Sequence, residues 1–591
     1  MKKLFTLFLV VGGLILTACN PNTNYEISSS ELQEHITYLA SEELEGRLPA
    51  TKGDSLAADY VANQFSKYQL DLYQSTGRQY FPIYTNIIPG NSNFLKFEEH
   101  GYTFREDFMP MSFSGNKTVS AIPVFLGYGF KLEDENLNWN DYQGIHLKDK
   151  WAMILLGNPE PDNLDAAWVS QSSARSKALR ARDAGAAGVL FVAGPNFDSA
   201  DEFPSLKNPE GSMDIPVLRI KRTLANDILE KTGKSISSLE EKLIKLHQPH
   251  SFEIEKTITA QSNLKVEKEK TANIIASLVV DPEAPYIVLG AHMDHLGYGG
   301  KGTSSRQPDT TAVHYGADDN ASGVASLIEI AGKLKAREDS LKKNFIFVAF
   351  GAEEKGLLGS KHFVKHPPVD LTNIEAMINI DMVGRLKEGR NLQIGGTGTI
   401  KEADSLINTI NKSYNFALSL SKEGYGPSDH ASFYMKEIPV FFFSTGAHVD
   451  YHTPADSTGK INFEGLSEVT QYIYDLSDLL SSSDIQLHFT STGVPEMSRA
   501  YAHSRRYKVA LGIMPDFSGI EKRGLRADLV IKGKPAYKSG MKNGDIITAI
   551  NGKKVKGIYE YMERLKELEA GQTITVEIIR DNEKEVLLVQ L

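Results

Sequence analysis

The chain has 591 residues, 24% charged and 41% hydrophobic, with 48 glycines, 24 prolines and a single cysteine. That length implies several packed domains, and the composition excludes disordered, collagen-like and coiled-coil chains. One cysteine excludes a disulfide framework and a cysteine-rich zinc site. A net charge of −11 argues against a nucleic-acid partner but leaves metals open, because carboxylates ligate hard and borderline cations.

Met1-Lys2-Lys3 followed by the apolar run Leu4 to Leu16 reads as a signal peptide over residues 1–18. Leu16-Thr17-Ala18-Cys19 resembles the lipobox of bacterial lipoproteins. The resemblance implies that Cys19 is lipidated and becomes the mature N-terminus, anchoring the protein to a membrane, with residues 19–27 as a polar linker. The expected location is the bacterial cell envelope. Asn20 rather than Asp after the cysteine favours the outer membrane, facing periplasm or cell surface. No later stretch reaches the ~20 apolar residues a spanning helix needs.

From Ser28 to Phe65 the pattern is helical: Ser28-Ser29-Ser30 offers N-caps, and Ala57, Val61 and Phe65 share a face. Residues 28–117 are expected to be the N-terminal part of the main domain. Short apolar runs begin near Thr118, with a strand at Trp151 to Leu156, a helix at Ser176 to Gly185 and a strand at Gly188 to Val192. Ala184 to Leu190 resembles the protease-associated domain, which predicts a β-rich insert over 118–255 with a binding or lid role. The charged stretch Lys265 to Lys270 reads as a solvated edge. Residues 256–485 alternate apolar runs with helical segments, the texture of a mixed, largely parallel α/β sheet with helices on both faces. A linker over 486–506 then leads to a unit at 507–591 that resembles a PDZ β-domain of the bacterial protease type. In that unit Leu511-Gly512-Ile513 would receive a peptide carboxylate or strand, making a peptide or protein ligand a possible partner.

Five places in the α/β block put polar residues where an apolar run ends. They are His292-Met293-Asp294 after Tyr286 to Ala291, and Asp318-Asp319-Asn320 after Gly316-Ala317. Glu353-Glu354 follows Phe345 to Ala352, Asp381 follows Met377 to Ile380, and Tyr451-His452 follows Pro439 to Phe443. Open α/β sheets place their sites at strand carboxyl ends, so these segments converge on one rim. Burying several carboxylates together requires compensating positive charge, and a mixed imidazole–carboxylate set suits zinc. Five ligands exceed what one catalytic zinc needs, so two ions sharing a carboxylate is the economical arrangement.

With these motifs in its order, together with Ser428-Asp429-His430, the block resembles the co-catalytic di-zinc aminopeptidases of the bacterial leucyl aminopeptidase and aminopeptidase Y type. The resemblance implies a zinc exopeptidase fold, peptide substrates and two Zn2+ per chain. Asp318 would bridge the ions, His292 and Asp381 completing one and Glu354 and His452 the other. Glu353 would be the general base that moves a proton from the attacking water to the leaving amine. Asp294 would steady the His292 imidazole, Asp319 matches a position where a cis peptide shapes the bridging loop, and Tyr451 could donate to the developing oxyanion. His295 reads as structural, His314 and His430 as support or surface residues, and Asp429 and Asp456 as loop-orienting. Two reactions compete on the same fold: a one-zinc glutaminyl-peptide cyclase, and a carboxypeptidase whose basic pocket would use Arg385. A third reading is a non-catalytic envelope peptide-binding protein.

Overall fold

The computed structural model describes residues 25–492 and 509–591, apart from 135–136, 161–167, 169–170, 205, 207–211, 301–302, 483–484, 486 and 517–520. The leader, Cys19 and most of the expected linker lie outside the described residues. The N-terminal helical pattern resolves into two helices. In α1 (Ser29–Leu39) the Ser28 hydroxyl caps Glu31 N, and in α2 (Lys52–Lys67) Thr51 caps Asp54 N. Between them a left-handed turn at Glu45 to Arg47 breaks the helix.

Nine strands form the main sheet: β1 (Asp71–Leu72), β2 (Arg78–Pro89), β3 (Leu264–Leu278), β4 (Tyr286–His292), β5 (Asn344–Phe350), β6 (Ile374–Ile380), β7 (Asn391–Gly395), β8 (Ala417–Leu420) and β9 (Val440–Ser444). Their order is β1-β3-β5-β4-β6-β9-β7-β8, with β2 also on β3. The centre, β5-β4-β6-β9, is parallel, while β3 runs antiparallel to β5 and β7 antiparallel to β9. The sheet is therefore mixed, with its parallel part where the polar turns lie. All seven β5 residues are buried, as expected for a strand covered on both faces. Phe345, Phe347 and Ala349 pack with α1, α2, α3 (Gly323–Lys335) and α5 (Phe463–Ser482). Ile346, Val348 and Phe350 pack with α4 (Leu358–Lys365) and the short helix His430–Tyr434. Lys265 to Lys270 lies exposed within β3, the solvated edge expected of it.

The ribbon β2–β3 is a stem from which the insert grows. Its six-stranded sheet has a parallel centre (Pro123–Leu126, Trp151–Leu155, Gly188–Val192, Val217–Ile220), and a four-stranded antiparallel sheet joins Phe94–Phe97 to Ile258–Ser262. Leu95, Phe97 and Phe108 share one core with Trp151 and Ile258, so the folded insert runs from 94 to 262, wider than the expected 118–255. Strands of three or four residues at 94–110 are too short for periodicity to show. The C-terminal unit is a β-sheet that includes Ile513–Pro515, Leu525–Val530, Ile546–Ile550, Thr573–Arg580 and Glu583–Gln590, with a helix at Ile558–Lys566.

That unit touches both others. Arg564 Nη1 donates to Asp183 Oδ2 at 2.6 Å on the insert helix Ala174–Asp183, Ser176 Oγ donates to Glu563 at 2.8 Å, and the Arg175 guanidinium lies 4.7 Å over the Tyr559 ring. On the other side, Lys361 of α4 pairs with Asp528 at 3.0 Å and Asp516 at 3.3 Å.

Candidate metal centre

Because β4, β5, β6 and β9 are parallel, their carboxyl ends share one rim. His292 ends β4, Glu353-Glu354 follows β5, Asp381 follows β6, and the loop bearing His448, Tyr451 and His452 follows β9. Asp318-Asp319 arrives from the turn before α3. Gly316 there has φ +55°, and a Cβ on it would stand 2.6 Å from His295 Cδ2 and 2.3 Å from the Asp319 carbonyl oxygen. Only glycine allows that approach.

Asp319, not Asp318, occupies the middle. Its Oδ1 lies 3.2 Å from His292 Nε2, which is also 3.4 Å from Asp381 Oδ1. Its Oδ2 lies 3.2 Å from His452 Nε2, which is 3.2 Å from Glu354 Oε1. Asp318 turns the other way: its Oδ1 accepts from Gly384 N at 2.6 Å and Ser322 Oγ at 3.1 Å, and its Oδ2 lies 3.1 Å from His448 Nε2. The expected bridging role of Asp318 is therefore corrected. The cause is the turn itself: Asp319 leaves helical geometry (φ −106°, ψ 90°), so the two carboxylates diverge, and the expected cis peptide lies between Asp319 and Asn320.

Asp294 reaches the imidazole through its backbone. His292 Nδ1 donates to the Asp294 carbonyl at 3.2 Å, whereas the Asp294 carboxylate accepts from Glu353 N at 2.9 Å and Glu354 N at 3.3 Å. The carboxylate thus hydrogen-bonds the glutamate turn, while its Oδ1 stands 4.0 Å from His292 Nδ1. His295, expected to be structural, faces the second donor group, its Nδ1 3.0 Å from Glu354 Oε1 and 3.7 Å from Asp319 Oδ2. His314 is held by Ser305 Oγ (2.8 Å) and the Ala312 carbonyl (2.9 Å), and the buried His430 stacks on Phe442. Asp456 Oδ2 accepts from Asp318 N and Asp319 N, both at 3.0 Å, and so orients that loop as expected. Arg385 is engaged by Asp450 (2.9 Å) and Asp456 (3.5 Å). The Tyr451 ring stacks on His452 with centroids 3.8 Å apart.

Two residues escaped the sequence reading. Arg47 is 1% exposed and donates to the carbonyls of Met293 (2.9 Å), Tyr315 (2.8 Å) and Gly316 (3.0 Å), tying both ligand-bearing segments together. His448 pins the β9 loop to Asp318. Neither carried a signal, since one lies in a turn far away in sequence and the other in an otherwise unremarked loop.

The donor sets His292–Asp319–Asp381 and His295–Asp319–Glu354 could each hold a metal ion, with His452 beside the second. Two ligands about 2.1 Å from a tetrahedral zinc lie about 3.4 Å apart, the spacing seen here. Asp319 Oδ2 and Asp381 Oδ1 are buried without a well-directed hydrogen bond, as acceptors awaiting a cation would be. Without a metal, acids and imidazoles neutralise one another. Burial works against the charged form of both, yet His452 is pushed up to about 10 by Asp319 and Glu354, and Asp319 is held well below the usual carboxylate range by His292 and His452. Glu353 is pushed well above its ordinary value, first by burial, with His292 opposing and Glu354, Asp429 and Asp381 reinforcing. A carboxyl poised upward is suited to carrying a proton.

Residues 273–477 match the Peptidase family M28 model and residues 512–591 the PDZ domain model. The chain is 29% identical over 324 residues to "Aminopeptidase YwaD" of Bacillus subtilis, covering 51% of this chain and 59% of that protein. It is 31% identical over 210 residues to a "Probable leucine aminopeptidase" of Arthroderma otae, covering 34% of this chain and 54% of that protein. The matched part thus spans little more than half the length of these relatives. Among solved structures, the zinc aminopeptidase BSAP from Bacillus subtilis aligns at TM-score 0.46 and 22% identity, covering 78% of this chain and 97% of that one. Residues 273–477 of the α/β block are thus similar to peptidase family M28, and residues 512–591 at the C-terminal end to a PDZ domain.

Proposed function

We propose that the chain is a zinc-dependent aminopeptidase that removes N-terminal residues from peptides. The observation that carries this reading is the Asp319 carboxylate, which turns one oxygen to each of two imidazole–carboxylate groups with Glu353 alongside. His292, Asp319 and Asp381 would hold one zinc, and Asp319, Glu354 and His452 the other. Bound zinc would acidify water and polarise the scissile carbonyl. Glu353, its backbone fixed by Asp294, takes the proton of the attacking water as the C–O bond forms and returns it to the leaving amine nitrogen, whereupon the C–N bond breaks. Tyr451, held by stacking on His452, donates its hydroxyl to the oxygen that gains charge. Engagement of Arg385 by two aspartates counts against a carboxypeptidase pocket built on it.

The test is hydrolysis of leucine amides by the zinc-loaded chain. Glu353→Gln should keep its zinc and lose at least ~10²-fold in kcat. Wild-type rates in that variant would refute the assignment of the base. One zinc per chain, or pyroglutamate formation from glutaminyl peptides, would favour the cyclase reading. We further propose a protease-associated character for the insert and anchoring through lipidated Cys19 in the bacterial outer membrane. Palmitate labelling of the wild type but not of Cys19→Ser tests the anchor.

A further inference from the structure

We propose that Ser305 and His314 are positioning residues for the metal centre: through one hydrogen-bonded relay they hold residues 303–307 against His452, so that this imidazole keeps one nitrogen turned to Asp319 and Glu354. The proposal rests on the zinc aminopeptidase reading, in which His452 is a ligand, and adds to it the part of the chain that aims that ligand. Three observations carry it.

The first is how His452 is held. Its backbone lies in the left-handed region at φ +55°, which a residue with a side chain keeps only where its surroundings impose it. Arg306 N donates to the His452 carbonyl at 3.0 Å. Two residues before Arg306, the Ser304 carbonyl lies 3.0 Å from His452 Nδ1. A carbonyl only accepts, so Nδ1 carries a proton and Nε2 is the nitrogen left for a metal. Nε2 stands 3.2 Å from both Asp319 Oδ2 and Glu354 Oε1. One short stretch of chain therefore fixes both the backbone and the tautomer of this residue.

The second is that regular structure does not hold that stretch. Residues 303–307 lie outside any helix or strand, and Ser304 and Arg306 are exposed. Ser305 between them is buried. Its hydroxyl lies 2.8 Å from His314 Nε2 and accepts from Gln307 N at 3.1 Å. A buried serine hydroxyl thus ties the exposed carbonyl and amide on either side of it to the body of the domain.

The third is the firmness of the other end. His314 is fully buried, and its Nδ1 donates to the Ala312 carbonyl at 2.9 Å. Burial lowers the imidazole, with the Ala312 hydrogen bond opposing, so the ring is neutral and its Nε2 accepts from Ser305 Oγ. His314 N donates to Gly297 O at 2.8 Å, and a Cβ on Gly299 (φ +62°) would stand 2.1 Å from His314 Cε1. The ring is therefore seated on the turn that follows His292 to His295. The relay joins that turn, at the end of β4, to the loop after β9. His314 also stands beside His295, with ring centroids 6.5 Å apart, which makes Ser305 the cleaner probe.

The experiment measures zinc affinity of the full chain by competition with a chromophoric chelator, with leucine amide hydrolysis alongside. Ser305→Ala should weaken about tenfold the same zinc that His452→Ala weakens, the lower end of the range for groups that support a ligand. The thermal midpoint of the metal-free chain should not move. Ser305→Thr keeps the hydroxyl and should bind zinc as the wild type does. A residue that acts only through His452 loses its effect once that ring is gone. Ser305→Ala added to His452→Ala should therefore change zinc affinity by less than about twofold. His314→Phe should match Ser305→Ala, and the Ser305 series decides even where His314→Phe does not fold. Unchanged zinc affinity in Ser305→Ala, or a further tenfold loss in the double variant, overturns the proposal. A wild type that takes up zinc and leaves leucine amides intact refutes the aminopeptidase reading instead, while the relay is still judged on metal affinity.

Discussion

Asp318→Asn and Asp319→Asn are neighbouring substitutions with different expected consequences. Asp319 presents Oδ1 to His292 and Oδ2 to His452, each at 3.2 Å, so its loss takes one anionic donor from each group. Zinc sites of four ligands bind with about 10–16 kcal/mol, or about 3 kcal/mol per ligand, and 3 kcal/mol is about a hundredfold in affinity. Asp319→Asn should therefore weaken both sites by about 10² or more. Asp318 touches Gly384 N, Ser322 Oγ and His448, contacts an asparagine oxygen can largely keep. The effect on zinc should stay near the lower end of the 10–100-fold typical of residues that support ligands. Zinc per chain, measured by atomic emission after dialysis against a chelator-buffered series of free zinc, ranks the two. Greater zinc loss in Asp318→Asn than in Asp319→Asn would refute the geometry argued here.

Zinc uptake near neutral pH should release protons, because His452 is pushed up to about 10 by Asp319 and Glu354 against burial and must be neutral to ligate; titration calorimetry in buffers of different ionisation enthalpy counts them. Gly316→Ala places a Cβ 2.3 Å from the Asp319 carbonyl at φ +55°, and should cost about 1–3 kcal/mol of stability and lower zinc content, both measurable by denaturation and metal analysis. In the insert, burial pushes Asp141 up to about 7, with the hydrogen bond from Phe130 N opposing. Its unfolded carboxyl titrates near 3.8, so the folded form is progressively penalised from about pH 4 to about pH 7 and fully above. Asp141→Asn should gain on the wild type by on the order of 4 kcal/mol across that window. The chain's three tryptophans, Trp139, Trp151 and Trp168, all lie in the insert, so intrinsic fluorescence during denaturation reports it selectively. A difference independent of pH would refute the assignment.

Much of the rim was legible because His292, Glu354, Asp381 and His452 each end or follow a buried strand. Tyr286 to Ala291 and Phe345 to Phe350 are apolar runs in the sequence and buried parallel strands in the fold, and strand carboxyl ends gather in space whatever their separation along the chain. Loop conformation was not legible. Asp318 and Asp319 are chemically identical neighbours, and only the departure of Asp319 from helical φ/ψ decides which faces the donors. For the same reason Asp294 was paired with the nearest imidazole in sequence, although its oxygens reach the Glu353 turn 59 residues away.

Charge supplies the remaining argument, and it needs the assembled site. Asp294, Asp318, Asp319, Asp429 and Asp456 are buried, and Glu353, Glu354 and Asp381 lie beside them with little exposure. Against these stand the guanidinium groups of Arg47 and Arg385, while His292 and His452 must be neutral to ligate. Burial pushes both Asp294 and Asp429 up to about 7, His292 opposing in each case, so those two can shed charge by holding protons. Burial also pushes Glu353 well above its ordinary value and Asp456 upward, and the negative charge that survives calls for a bound cation. Buried charge therefore favours a cation at this rim, and donor geometry makes Asp319 the carboxylate common to both donor sets, its Oδ1 facing His292 and its Oδ2 facing His452.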